Sequence, residues 1–175
     1  MGTIFIAGAY GVGKSTLCDS LSKKLDIPAF SSGDLISNVN GEKYGANKFV
    51  KNKSANQDIL EVEVKKLLKQ FPKILLAGHF CIFNKFNRIE KLPYDIFEKI
   101  NIEQILLLEA DPLVILQNLK CRDKKTYDVT LIEQLIFEER KMAETISQRW
   151  ACEFHIHQMS FDLTDQQKCV DLLNN

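Results

Sequence analysis

The chain has 175 residues, 45% of them hydrophobic and 26% charged, with 23 basic residues balancing 23 acidic ones. That length suits one domain with a proper core, and a formal net charge of zero leaves no overall electrostatic footprint for nucleic acid or an anionic membrane. No apolar run approaches the roughly 20 residues of a membrane-spanning helix, and Cys18, Cys81, Cys121, Cys152 and Cys169 are scattered with no C-x-x-C pair, a pattern that fits reduced thiols in a cytoplasmic protein better than a disulfide framework or a zinc knuckle.

"TIFIA" at 3–7 reads as a buried strand, and Lys14 to Leu25 as a helix with Leu17, Leu21 and Leu25 on one face. "PAFSS" at 28–32 is a short second strand opened by Pro28, followed by the turn "SSGDL" at 31–35, for which Asp34 is a candidate cap. Residues 40–53 are irregular and basic, with Lys43, Lys48, Lys51 and Lys53; they read as a solvated loop or as a positively charged flap. Ser54 with Gln57 forms a capping box ahead of "DILEVEVKKLLKQF", which stops at Pro72. "KILLA" at 73–77 and "QILLLE" at 104–109 are continuous apolar runs of the kind that strands covered on both faces require. Asp111-Pro112 opens the next helix, Thr130 with Glu133 opens a long one reaching about Trp150, "CEFHIH" at 152–157 is a fifth strand, and a short helix follows near 165–173. Strands alternating with helices imply a mainly parallel sheet in an α/β fold.

The junction of the first strand and helix carries "GAYGVGKST": Gly8, Ala9, Tyr10, Gly11, Val12, Gly13, Lys14, Ser15 and Thr16. Gly8, Gly13, Lys14 and Ser15 satisfy G-x-x-x-x-G-K-[ST] with a strand before and a helix after. The glycines allow main-chain amides to approach phosphate oxygens, and the helix N-terminus adds N–H groups and partial positive charge. Lys14 would reach the β- and γ-phosphates of ATP, Ser15 would ligate Mg²⁺, and Thr16 would bond near the α-phosphate.

Further residues narrow the class. "SSGDL" resembles the T-G-D-[LM] stretch of nucleoside monophosphate kinases, with Ser32, Gly33 and Asp34 at the matching positions. Residues 74–116 resemble the archaeal-type adenylate kinases: a strand, a loop with His79, Leu92-Pro93 before a helix, and a strand ending in Leu108-Glu109-Ala110-Asp111-Pro112. The resemblance implies a three-layer P-loop NTPase fold with a five-stranded parallel sheet in 2-3-1-4-5 order. It implies one kinase domain over 1–175, with an acceptor-binding insertion at about 34–72 and a short lid at about 120–129. The activity implied is transfer of the γ-phosphoryl of Mg-ATP to a nucleoside monophosphate, between small-molecule substrates.

Site residues follow from the same comparison and from charge. Arg122, in "KCRDKKTYD" with Lys124 and Lys125, would hold the migrating phosphoryl through its planar donor fork. Arg140, on the long helix, is a candidate phosphate ligand or a surface partner of Glu144. Arg88 is a candidate for the acceptor phosphate, His79 is a candidate for the acceptor site or a structural histidine, and Asp34, ahead of Glu109 and Asp111, is the candidate for the magnesium's water shell. His155 and His157 share one side of a strand but lack a third metal ligand. Phe80, Phe83 and Phe86 suit either core packing or stacking on a base.

The chain departs from the archaeal-type pattern twice. Where that pattern ends its third strand in aspartate, this chain has Ala77 and Gly78. It is also poor in arginine, with only Arg88, Arg122, Arg140 and Arg149, and has Phe83 where the family places an acceptor-loop arginine. Lysines restore charge but not bidentate geometry. Two other readings therefore stay open: a kinase of a nucleoside or other small hydroxylated metabolite, with Asp34 as base, and a regulatory nucleotide-binding module with weak ATPase activity.

Overall fold

The computed structural model describes residues 1–41, 53–84, 86–123 and 127–174. Lys43, Lys48 and Lys51 of the basic stretch, and Lys124 and Lys125 of the expected lid, lie outside these residues.

Strand β1 (Gly2–Gly8) is buried at all seven positions. Because successive side chains point to opposite faces, the strand is covered on both. It feeds helix α1 (Lys14–Leu25), whose Leu17 and Leu21 are buried and whose Leu25 packs at the edge of the core. Strand β2 (Ala29–Ser31) leads directly into α2 (Ser32–Asn40), and α3 (Lys53–Gln70) precedes β3 (Lys73–Ala77). A hairpin of β4 (Cys81–Phe83) and β5 (Ile89–Lys91) follows, then α4 (Tyr94–Lys99), β6 (Ile102–Glu109), α5 (Pro112–Asp123), α6 (Val129–Trp150), β7 (Glu153–Gln158) and α7 (Thr164–Leu173).

Five strands form one parallel sheet in the order β2-β3-β1-β6-β7. Numbered within that sheet alone, the order is the 2-3-1-4-5 that the resemblance implied. No described helix is long and apolar enough to cross a membrane.

Local chemistry explains where expected boundaries moved. The cap of α2 is Ser31, whose Oγ accepts the N–H of Asp34, so the Asp34 carboxylate is not the cap. Asp128 caps α6 by accepting from the N–H and hydroxyl of Thr130, two residues ahead of the capping box expected at Thr130. Ser54 falls inside described α3. Asp111 caps α5 as expected, accepting the Leu113 N–H at 2.8 Å. The β4–β5 hairpin had no sequence signal, because strands of three residues are too short to show alternation.

Candidate active site

The glycine loop is shaped by steric necessity. A Cβ on Gly8 would lie 2.4 Å from the Leu108 carbonyl oxygen, and Gly13, at φ 96°, occupies the left-handed region as N-cap of α1. With no side chain capping α1, its first N–H groups are left for an anion. Lys14 Nζ donates to the carbonyl oxygens of Gly8 (2.8 Å) and Ala9 (2.9 Å), folding the ammonium back over the loop. Ala9 and Val12 are core residues that support the loop from beneath.

Two cavities meet at this loop. The larger, about 700 Å³, is lined by Gly11, Gly13, Thr16 and Arg122, and closed at one side by Met159 and Phe161 after β7. Arg122 and the loop thus line one cavity. Asp165 holds that side: burial alone would raise its carboxyl, but the Ser160 N–H, His157 and the Phe161 N–H outweigh burial and keep it below its ordinary value. His157 is thus a buried structural partner of Asp165, at 2.8 Å.

The smaller cavity, about 220 Å³, is lined by Ser32, Gly33 and Asp34 from α2 and by Ala77 from the end of β3. Its floor is apolar, built from Phe5, Ile96 and Phe97 among others. Tyr10, Lys14, Ser15 and His79 line both cavities and form the seam between them. Gly78 allows this floor: a Cβ there would lie 2.6 Å from the Phe5 ring and 2.9 Å from Ser32 Oγ. Ser32 Oγ is buried and has no hydrogen-bond partner among the described residues.

No arginine stands among the described residues that line the smaller cavity. Arg88 is exposed in the turn of the β4–β5 hairpin, with its N–H given to Asn84 Oδ1. Arg140 extends a two-pronged hydrogen bond to the Glu109 carboxylate and lines neither cavity. Both positions differ from the acceptor-binding placement expected of them. Phe80 packs on Phe5 and Phe97, each at 5.0 Å between ring centroids, whereas Phe86 is exposed.

The residue that sequence reasoning missed is Glu139. It is 1% exposed, and its carboxylate accepts the N–H of Phe80 (3.1 and 3.2 Å) and of Cys81 (3.1 Å). His79 Nδ1 stands 3.3 Å from Glu139 Oε1. Burial pushes this carboxyl up to about 7, against the opposing pull of the Lys14 ammonium and the Cys81, Phe80 and Gly8 N–H groups. A signal existed: on α6, Ile132, Leu135, Glu139, Met142 and Ile146 form one buried stripe at helical spacing, and an acid in such a stripe needs partners.

Hard oxygen donors on the smaller cavity suit magnesium. The Ser15 hydroxyl and Asp34 carboxylate are both exposed and line the same cavity, and Mg²⁺ is ordinarily held by one or two protein oxygens plus phosphate and water. No cluster of three or more His, Cys, Asp or Glu side chains able to hold a metal exists among the described residues.

Residues 7–135 match the sequence family described as an AAA domain. An adenylate kinase of Thermoplasma acidophilum is 23% identical over 133 residues, covering 74% of this chain and 73% of that protein. Among solved structures, shikimate kinase from Bacteroides thetaiotaomicron superposes with a TM-score of 0.64 at 13% identity, covering 99% of both chains. A gluconokinase from Sinorhizobium meliloti does so at 0.59 and 12% identity, covering 99% of this chain and 91% of that one. These likenesses establish a P-loop kinase fold.

Proposed function

The chain belongs to the AAA domain family, and on that premise we propose that it is an ATP-dependent phosphotransferase whose acceptor is a small, uncharged molecule phosphorylated at a hydroxyl. One observation carries this reading: the smaller cavity shares Lys14 and Ser15 with the larger one, yet it is apolar beneath and without a described arginine. An acceptor that is itself a phosphate or carboxylate would need a cation fork there. At about 220 Å³ the cavity is also below the roughly 300–1,000 Å³ of pockets for drug-sized ligands, which favours a compact acceptor.

ATP would lie in the larger cavity with its phosphates on the loop amides. Phosphoryl transfer needs in-line positioning and dispersed positive charge more than covalent participation. Lys14 and Arg122 supply that charge. Ser15 and Asp34 would hold Mg²⁺, which neutralises charge on the phosphates, and Asp34 also stands where it can orient the acceptor. Ala77 in place of aspartate gives the cavity room and an apolar wall.

A nucleoside monophosphate acceptor is the second reading, favoured by the likeness to an adenylate kinase. Incubation with Mg-ATP and a panel of nucleosides, neutral polyols, sugar acids and nucleoside monophosphates separates the two. ADP released with a neutral hydroxylated acceptor supports the proposal. Release with nucleoside monophosphates alone supports the second reading, and equal release with and without every acceptor leaves only a nucleotide-binding module.

A further inference from the structure

With Asp34, the base that the sequence offered for a hydroxyl acceptor, assigned instead to Mg²⁺, the reaction leaves one proton unplaced and one buried acid unused. A hydroxyl acceptor must lose its proton as the new O–P bond forms, and Glu139 lies next to the seam without lining either cavity.

His79 connects the two. It follows Gly78, whose N–H still bonds Ile6 at the end of the sheet, so the rigid β3 carries it to the seam. Its Nδ1 is buried against the Glu139 carboxylate at 3.3 Å, while the side chain as a whole keeps 18% of its exposure. The ring lies on Tyr10, with centroids 4.0 Å apart and planes inclined at 33°. With Nδ1 buried on that side, the exposed remainder of the ring is what lines the two cavities.

We infer that His79 is the proton acceptor for the attacking hydroxyl and that Glu139 is its positioning residue. This rests on the hydroxyl-acceptor reading. In the step, the acceptor oxygen attacks the γ-phosphorus of ATP, the bond from that phosphorus to the β,γ-bridging oxygen breaks, and ADP leaves. The hydroxyl proton passes to His79 Nε2 and is afterwards released to water. A carboxylate on Nδ1–H sets the tautomer that presents a lone pair at Nε2 and supports the charge formed there. At 3.3 Å the two groups approach without completing a hydrogen bond to each other, the loose geometry that such pairs show before substrate binds.

Other charged groups around the ring are Lys14 at the head of α1, Asp34 of α2, Arg122 of α5 and Glu138 beside Glu139. Burial pushes the Cys81 thiol up to about 12 and raises the Tyr10 phenol further, so neither changes charge near neutrality. A proton acceptor must be unprotonated to act, so turnover falls as acid protonates the His79–Glu139 pair.

Two measurements test this. Nitrogen-15 NMR of the whole protein, with His79→Gln used for assignment, should show His79 protonated at Nδ1 and bare at Nε2 above neutrality. The pH profile of Mg-ATP turnover, with water as acceptor and then with any acceptor the panel returns, should show an acid limb. Glu139→Gln should lower kcat about tenfold to a hundredfold and move that limb to lower pH, His79→Gln should abolish it, and Asp34→Asn should lower the rate with the limb in place. Glu139→Asp serves if the glutamine variant does not fold. A proton on Nε2, or a limb that stays put when Glu139 is replaced, overturns the assignment. Failure of every hydroxylated acceptor would instead show in the panel, independently of the tautomer.

Discussion

The Glu139 carboxylate grips the N–H of Phe80 through both of its oxygens, at 3.1 and 3.2 Å, from a helix fifty-nine residues further along the chain. The Phe80 and Cys81 amides have left the ladder of β3, and buried N–H groups without a partner are costly. Glu139 supplies that partner and so fixes the turn that carries His79.

The pH dependence of stability follows from its sign. A carboxyl raised from 4.5 to about 7 binds a proton more tightly folded than unfolded. Stability therefore falls as pH rises from about 4.5 to about 7 and is level above that. Melting curves of the wild type should show this fall, and Glu139→Gln should remove it. A wild-type Tm that rises through that window contradicts the shift.

On the proposed function, Lys14→Met should remove a charge that would act on the outer phosphates of ATP. The expected loss in kcat is about 10²–10³-fold, the scale of deleting one preorganised charge donor. ADP release and calorimetric titration with ATP would measure it; loss of the ammonium's bonds to the Gly8 and Ala9 carbonyl oxygens should lower Tm as well.

Gly78→Ala should be felt in both stability and acceptor use. The new methyl would meet Phe5 at 2.6 Å and Ser32 Oγ at 2.9 Å, and overpacking of this kind costs about 1–3 kcal/mol. Thermal denaturation should show the loss. The KM for the acceptor should rise more than the KM for ATP, because only the smaller cavity shrinks.

Arg140→Met should act on stability first. Glu109 is 7% exposed and would lose its two-pronged partner, whereas Arg140 is 47% exposed and partly screened by water. A cost of about 1–2 kcal/mol lies between the values for surface and buried pairs. Chemical denaturation would measure it; an effect confined to the acceptor KM would restore the phosphate-binding role suggested by sequence.

The elements nearest the donor site were legible in order along the chain because their signals are local. β1, α1, β3 and the Asp111 cap all came from contiguous patterns, and G-x-x-x-x-G-K-[ST] states its geometry within eight residues. Asp128 was missed as a cap because Thr130 offered a competing pattern two residues later.

By itself the sequence determined that this protein would present a ring of main-chain amides and a lysine at the end of a central parallel strand, since that outcome depends only on neighbours in the chain. Tertiary structure decided the rest: that Arg140 spends its fork on Glu109, that the smaller cavity has an apolar floor, and that Glu139 meets His79. Those outcomes depend on where α6 crosses β6 and the β3–β4 turn. Side chains sixty residues apart acquire a common purpose only when burial forces an acid and the groups it must satisfy into one place.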